Sequence, residues 1–165
     1  MPIIPRRFRM PTMPFTKPLP YLFATLLVGL LAHPVQAQQG PQGRLQTTEI
    51  TAGMHVIQAE LALTPGQQQN GMMFRRTMGA NEGMLFASDD AGVRCFWMRN
   101  TLLPLAIAFI ADDGTIVNIA EMAPQSDASH CSTKPVRFAL EMNTGWFAKH
   151  GIKAGSKLRG APFAK

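Results

Sequence analysis

LPLAIAFIADDGTIVNIAEM, residues 103–122, is the stretch on which the fold turns. Two runs rich in apolar and β-branched residues flank Asp112-Asp113-Gly114. Asp-Gly supplies the positive-φ positions of a tight turn, so residues 105–110 are predicted to pair antiparallel with 115–121. The first run is apolar at every position, which implies burial of both its faces and a central place in a sheet. Before it, CFWM reads as another strand, broken from the hairpin by Pro104.

Working outward, residues 45–50 and 54–63 read as two strands around Gly53, and GMLFA, 83–87, as a short one. Thr64-Pro65 opens a helix, with a hydroxyl at the cap and proline in the first turn, expected to run to Phe74 despite Gly71. Residues 136–142 alternate as a strand. Residues 144–151 begin with threonine, end with glycine and read as a second short helix, and SKLRG closes the sheet as an edge strand. The expected class is α+β: a mostly antiparallel, strongly curved sheet or partial β-barrel with two short helices.

Residues 1–37 read as a cleaved signal peptide. Arg6, Arg7, Arg9 and Lys17 form a basic region, residues 19–32 an apolar core, and Val35-Gln36-Ala37 a cleavage site. The apolar run is shorter than the roughly 20 residues that span a bilayer, so no stable membrane span is expected after cleavage. Arg6-Arg7 leaves both the general secretory and the twin-arginine routes open. The expected organisation is then a leader over 1–37, a flexible Gln/Gly-rich tether over 38–46 and a single globular domain over 47–165, in a periplasmic or secreted protein.

The leader holds four of the 16 basic residues and none of the ten acidic ones, so residues 38–165 carry 12 basic against 10 acidic side chains. The pI near 9.9 therefore belongs to the precursor and does not indicate a nucleic-acid partner. Cys95 and Cys131 both follow the leader and would meet an oxidising compartment. A disulfide between them is the leading reading. It would close a loop of about 37 residues and stabilise the fold by roughly 3 to 4 kcal/mol in the chain-entropy model. A redox pair lacks the CxxC spacing. A copper site built from Cys131, His130 and nearby methionines is a further alternative, since eight methionines follow the leader; most of them occupy apolar positions where a flexible side chain fills gaps.

GMMFRR (71–76), GMLF (83–86), FWMRNTLLPL (96–105), FIADDGTIVNI (109–119) and ALEMNTGW (139–146) occur in an order that resembles the blocks of the domain-of-unknown-function family 192. The resemblance covers about residues 54–160. It implies a compact mixed α/β domain, often behind a signal or membrane segment, with no settled biochemical activity. One position departs from the family pattern: Ala106 stands where the family commonly carries Asp after its Pro-Leu pair.

The polar residues inside these blocks are the candidate site. Arg75, Arg99, Asn100, Thr101 and Glu141 are expected to converge at one rim of the sheet, where two guanidiniums, an amide and a hydroxyl suit a carboxylate, phosphate or sugar-like ligand. Trp97 offers a flat face beside them. The competing reading has Arg75 paired with Glu141 while Asn100 and Thr101 satisfy turn backbone. The expected function is noncatalytic binding of a small anionic or sugar-like ligand or a cell-envelope component, with no cofactor. A hydrolase centred on Ser126, Asp127, Ser129 and His130 is the alternative.

Overall fold

The computed structural model describes residues 40–163; the leader expected over 1–37 lies outside them. Two hairpins and the longer connections between them build one seven-stranded sheet. Strands β1 (Thr47–Ala52) and β2 (His55–Ala62) turn at Gly53 and pair antiparallel, Ile50 opposite Ile57. Helix α1 (Pro65–Asn70) carries the chain across to β3 (Glu82–Gly92), which pairs with β2 in parallel. A parallel neighbour requires such a crossover, and this one pair makes the sheet mixed, though still mostly antiparallel as expected.

The two-residue strand β4 (Cys95–Phe96) leaves the sheet, and β5 (Leu105–Ile110) and β6 (Ile116–Met122) re-enter it as the predicted hairpin. Its turn differs in detail from a two-residue loop. The Gly114 N–H donates to Ala111 O, the Ala111 N–H to Thr115 O, and Gly114 takes φ +85°. This is a three-residue connection in which the glycine forms the bulge. Strands β7 (His130–Cys131), β8 (Val136–Asn143) and β9 (Leu158–Arg159) follow, with helix α2 (Trp146–Lys149) before the last. The sheet order is β6-β5-β8-β3-β2-β1-β9.

The final segment draws the two ends of the sheet together. Leu158 pairs with Ala52 of β1, while its N–H donates to Gly114 O, and the Ile116 N–H donates to Ser156 O. The result is a strongly curled half-barrel. Its concave face gathers residues from the whole sheet, among them Ile50, Ile57, Leu85, Ala106, Leu140 and Leu158, and α2 seals it with Trp146 and Phe147. The other face buries Met84, Leu105, Ile107, Phe109 and Ala139 beneath Met72 and Met98. β5 is therefore buried on both sides, as its unbroken apolar run requires.

Several local expectations change. α1 stops at Asn70 because Gly71 takes φ +46°; its start is as expected, with Thr64 at the cap and Pro65 in the first turn, and Gln67 completes a reciprocal capping box. α2 begins after Gly145, not at Thr144, whose hydroxyl donates instead to Glu121. CFWM is not a strand of the main sheet. Only Cys95 and Phe96 are extended, and they pair with Cys131 and His130 as a separate ribbon. Among the described residues no helix is long and apolar enough to cross a membrane.

Candidate functional site

Glu60, Met84 and Glu141 form one row across β2, β3 and β8, each opposite the next in register. Both acids are almost fully buried, at 3% and 4% exposure. They meet different surroundings. Arg75 forks onto Glu60, Nη1 donating to Oε1 at 2.6 Å and Nη2 to Oε2 at 2.7 Å, and the Leu45 N–H adds a bond at 2.8 Å. Burial raises the Glu60 pKa, but these bonds and the charges of Arg75 and Arg44 outweigh it and hold the carboxyl below its ordinary value. Arg75 reaches this place because Phe74, at φ +62°, turns the chain while its N–H donates to the Asn100 carbonyl. The expected pairing of Arg75 with Glu141 is thus replaced by a pairing with Glu60. The physical reason lies in the crossover, which sets the segment after α1 against β2 and β3.

Among the described residues Glu141 is left without a cation and its Oε2 without a hydrogen-bond partner, and desolvation pushes its pKa up to about 8. It lies on the wall of a cavity of about 480 Å³, a volume in the usual range of small-molecule sites. The cavity runs over one face of β8, where alternation brings Arg137, Ala139 and Glu141 to the same side. β3 adds Phe86 and Ser88, α1 and the turn after it add Gln68 and Met72, and the β4–β7 ribbon with its flanking residues adds Phe96, Trp97 and Ser129. Cys95 and Cys131, bonded to each other, staple that ribbon. Its Phe96 packs edge-on against Phe86 at 4.9 Å between ring centroids.

Two arginines absent from the sequence-based candidates line the cavity, Arg94 and Arg137. Arg94 donates to Asp90 through Nη2, while among the described residues its buried Nε has no partner. Arg137 donates through Nε to Ser88 O, and among the described residues neither of its Nη groups makes a hydrogen bond. Arg137 had a visible signal, since it shares strand parity with Glu141.

Of the expected site residues, Trp97, Thr101 and Glu141 line this cavity and Arg75, Arg99 and Asn100 do not. Arg99 lies on the surface, its Nε donating to Asp127 at 2.8 Å and its guanidinium 4.4 Å from the centroid of the Trp97 ring. Asn100 takes φ +58° and serves the turn through its carbonyl. The expected convergence of two guanidiniums, Arg75 and Arg99, is not formed. The Ser126–His130 loop is engaged piecewise as well: the Ser126 hydroxyl accepts from the Ala128 N–H, Asp127 is bound by Arg99, and His130 sits in the ribbon opposite Phe96. The disulfide removes Cys131 as a thiolate donor, and Met72, Met84, Met98, Met122 and Met142 are buried in the two cores. Ala106 is fully buried on the concave face, opposite to the face that bears Glu141. Its departure from the family pattern does not touch the cavity.

A family model, DUF192, described as Uncharacterized ACR, matches residues 47–160. No curated protein matches the chain. Several solved structures resemble it, two of them as follows. One is a protein from Sinorhizobium meliloti 1021 provisionally named a transcription regulator, 35% identical with a TM-score of 0.70, the match covering 74% of this chain and 99% of that one. The other is a protein of unknown function from Novosphingobium aromaticivorans DSM 12444, 37% identical with a TM-score of 0.67, covering 77% of this chain and 89% of that one.

Proposed function

On the premise that the chain belongs to the DUF192 family, we propose that it is an exported, noncatalytic binding domain for a small anionic or sugar-like ligand, held in the cavity over β8. The observation that carries this reading is Glu141, a buried carboxyl with an unpartnered oxygen on the wall of an open cavity. An unpaired buried acid costs stability that an apolar residue at the same place would not. A ligand that hydrogen-bonds to it offsets that cost when bound. Aromatic and methionine walls supply apolar contact, and Arg94 and Arg137 supply attraction for anionic oxygens. Residues 1–37 support export, and the Cys95–Cys131 disulfide suits an oxidising compartment.

Trp97 is half-exposed at the cavity while Trp146 is buried, so Trp97 emission serves as the reporter. A panel of small carboxylates, phosphates and neutral sugars is titrated against the wild type and against Ala139→Leu, which fills the cavity floor. At least one compound is expected to change the emission and raise the melting temperature in the wild type alone. If no compound does so at millimolar concentration, or if the variant responds equally, the cavity is not a binding site.

A further inference from the structure

We infer that the ligand is an elongated amphipathic anion: an acidic head at Arg94 and Arg137, an apolar middle over Ala139, and a neutral hydroxyl or amide at the far end against Glu141. This deepens the proposed binding function and rests on it. The argument comes from the spacing along β8. Arg137 and Glu141 stand on one face, four residues apart, so their backbones are about 13 Å from each other along the strand. Between them is Ala139, whose small side chain leaves room above the sheet, with Phe86 opposite it in register. The floor is thus polar at both ends and apolar between.

The two polar ends differ in chemistry. Among the described residues the two Nη groups of Arg137 have no hydrogen-bond acceptor, while its Nε lies 4.0 Å from Asp112 Oδ1; the Arg94 guanidinium is paired with Asp90, its Nε buried without an acceptor. Such guanidiniums favour carboxylate or phosphate oxygens. The Glu141 end offers an anion no cation, and surrounded by apolar side chains it favours the neutral acid, which both donates and accepts one hydrogen bond. A hydroxyl or primary amide answers both of those valences, whereas a methyl end leaves Oε2 as orphaned as it is in the free protein. A compact sugar fills the middle without reaching both ends, and a plain alkanoate engages the arginine end alone.

The test uses four probes at pH 6 with the protein of residues 38–165: ω-hydroxyoctanoate, octanoate, octanol and glucose. Affinities are read from Trp97 emission and by calorimetry. ω-Hydroxyoctanoate is expected to bind about tenfold or more tightly than octanoate or octanol. Glu141→Leu removes the advantage of the hydroxyl and leaves octanoate unaffected; Arg137→Gln removes the advantage of the carboxylate. Glu141→Gln serves as the shape-preserving second variant, and all variants are checked by melting temperature. Octanoate binding as tightly as ω-hydroxyoctanoate, or a hydroxyl preference that survives Glu141→Leu, overturns the inference. Glucose binding that Ala139→Leu abolishes, without binding of ω-hydroxyoctanoate, overturns it while leaving the cavity reading intact. Binding of none of the four overturns it too, and the broader panel then decides the cavity reading separately.

Discussion

Glu60 and Glu141 stand in one cross-strand row with Met84 between them, equally buried, yet only Glu60 holds a cation. Two strand spacings separate the two acids, about 10 Å at the backbone. The short loop after α1 brings one arginine to the first of them. The row therefore contains a satisfied structural acid and an unsatisfied one, and the cavity opens over the second.

Arg75 acts in the fold and not in the site. Arg75→Met is expected to destabilise the protein by about 3 to 5 kcal/mol, because it leaves Glu60 buried without its partner. Adding Glu60→Leu to that variant should restore much of the loss. Urea unfolding measures both, and a ligand affinity unchanged in the single variant would confirm the separation of roles. The sign with pH follows from the lowered pKa of Glu60: its contribution is present above the unfolded value of 4.5 and is lost as pH falls through the folded one.

Glu141 has the opposite sign. Its pKa rises from 4.5 to about 8 on folding, so the folded protein keeps a proton that the unfolded chain releases, and stability falls as pH rises between those values. Glu141→Gln should match the wild type below pH 4.5 and become progressively more stable toward pH 8. The gain approaches a factor of about ten in the unfolding constant per pH unit. Parallel stability curves for the two proteins would show that the carboxyl is not desolvated.

The disulfide fixes the ribbon that forms one cavity wall. Replacing Cys95 and Cys131 by alanine should lower stability by about 3 to 4 kcal/mol through the loop it opens. Ligand affinity should fall as well, because Phe96 and Trp97 then lose the covalent tie and depend on packing, on the two-residue β4–β7 pairing and on bonds such as Met98 N–H to Ser126 O and Ser132 N–H to Arg94 O. Denaturation with and without reductant, followed by the Trp97 titration, measures the two effects.

Gly83 permits the close approach of β3 to β8. A Cβ there would lie 2.5 Å from the Glu141 carbonyl oxygen and 2.5 Å from Met142 Sδ. Gly83→Ala is expected to destabilise by about 1 to 3 kcal/mol, as overpacking of a filled interior does. Its effect on binding should exceed that of an equally destabilising change on the concave face, such as Ile57→Val. A comparison of the two variants by calorimetry checks this.

Much of the architecture was legible because it is written in local patterns. The unbroken apolar run 105–110, the Asp-Gly turn and the alternation of 136–142 specify strands whatever the rest of the chain does. The cysteine pairing followed from there being two cysteines in a chain expected to be exported. The partner of Arg75 was not legible, because it depends on a parallel crossover that places β2 beside β3, and no local pattern encodes which of two buried acids a following arginine meets. For the same reason the row Glu60–Met84–Glu141 is invisible before the register is known. Arg137 is the instructive omission. It sits four positions before Glu141 in an alternating strand, so the shared face was readable once Glu141 was suspected. Arg94 gave no comparable signal, since its place at the cavity comes from the ribbon that leaves the sheet.

The most direct test is the side-chain carboxyl resonance of Glu141, followed by NMR across pH in the free protein and with saturating ω-hydroxyoctanoate. A midpoint near 8 in the free protein, moving higher when the probe is bound, is the expected result, because the probe stabilises the neutral acid. A midpoint at the ordinary value of 4.5 would mean that the carboxyl is solvated or paired, and a cavity built around an unpartnered acid would no longer describe this protein.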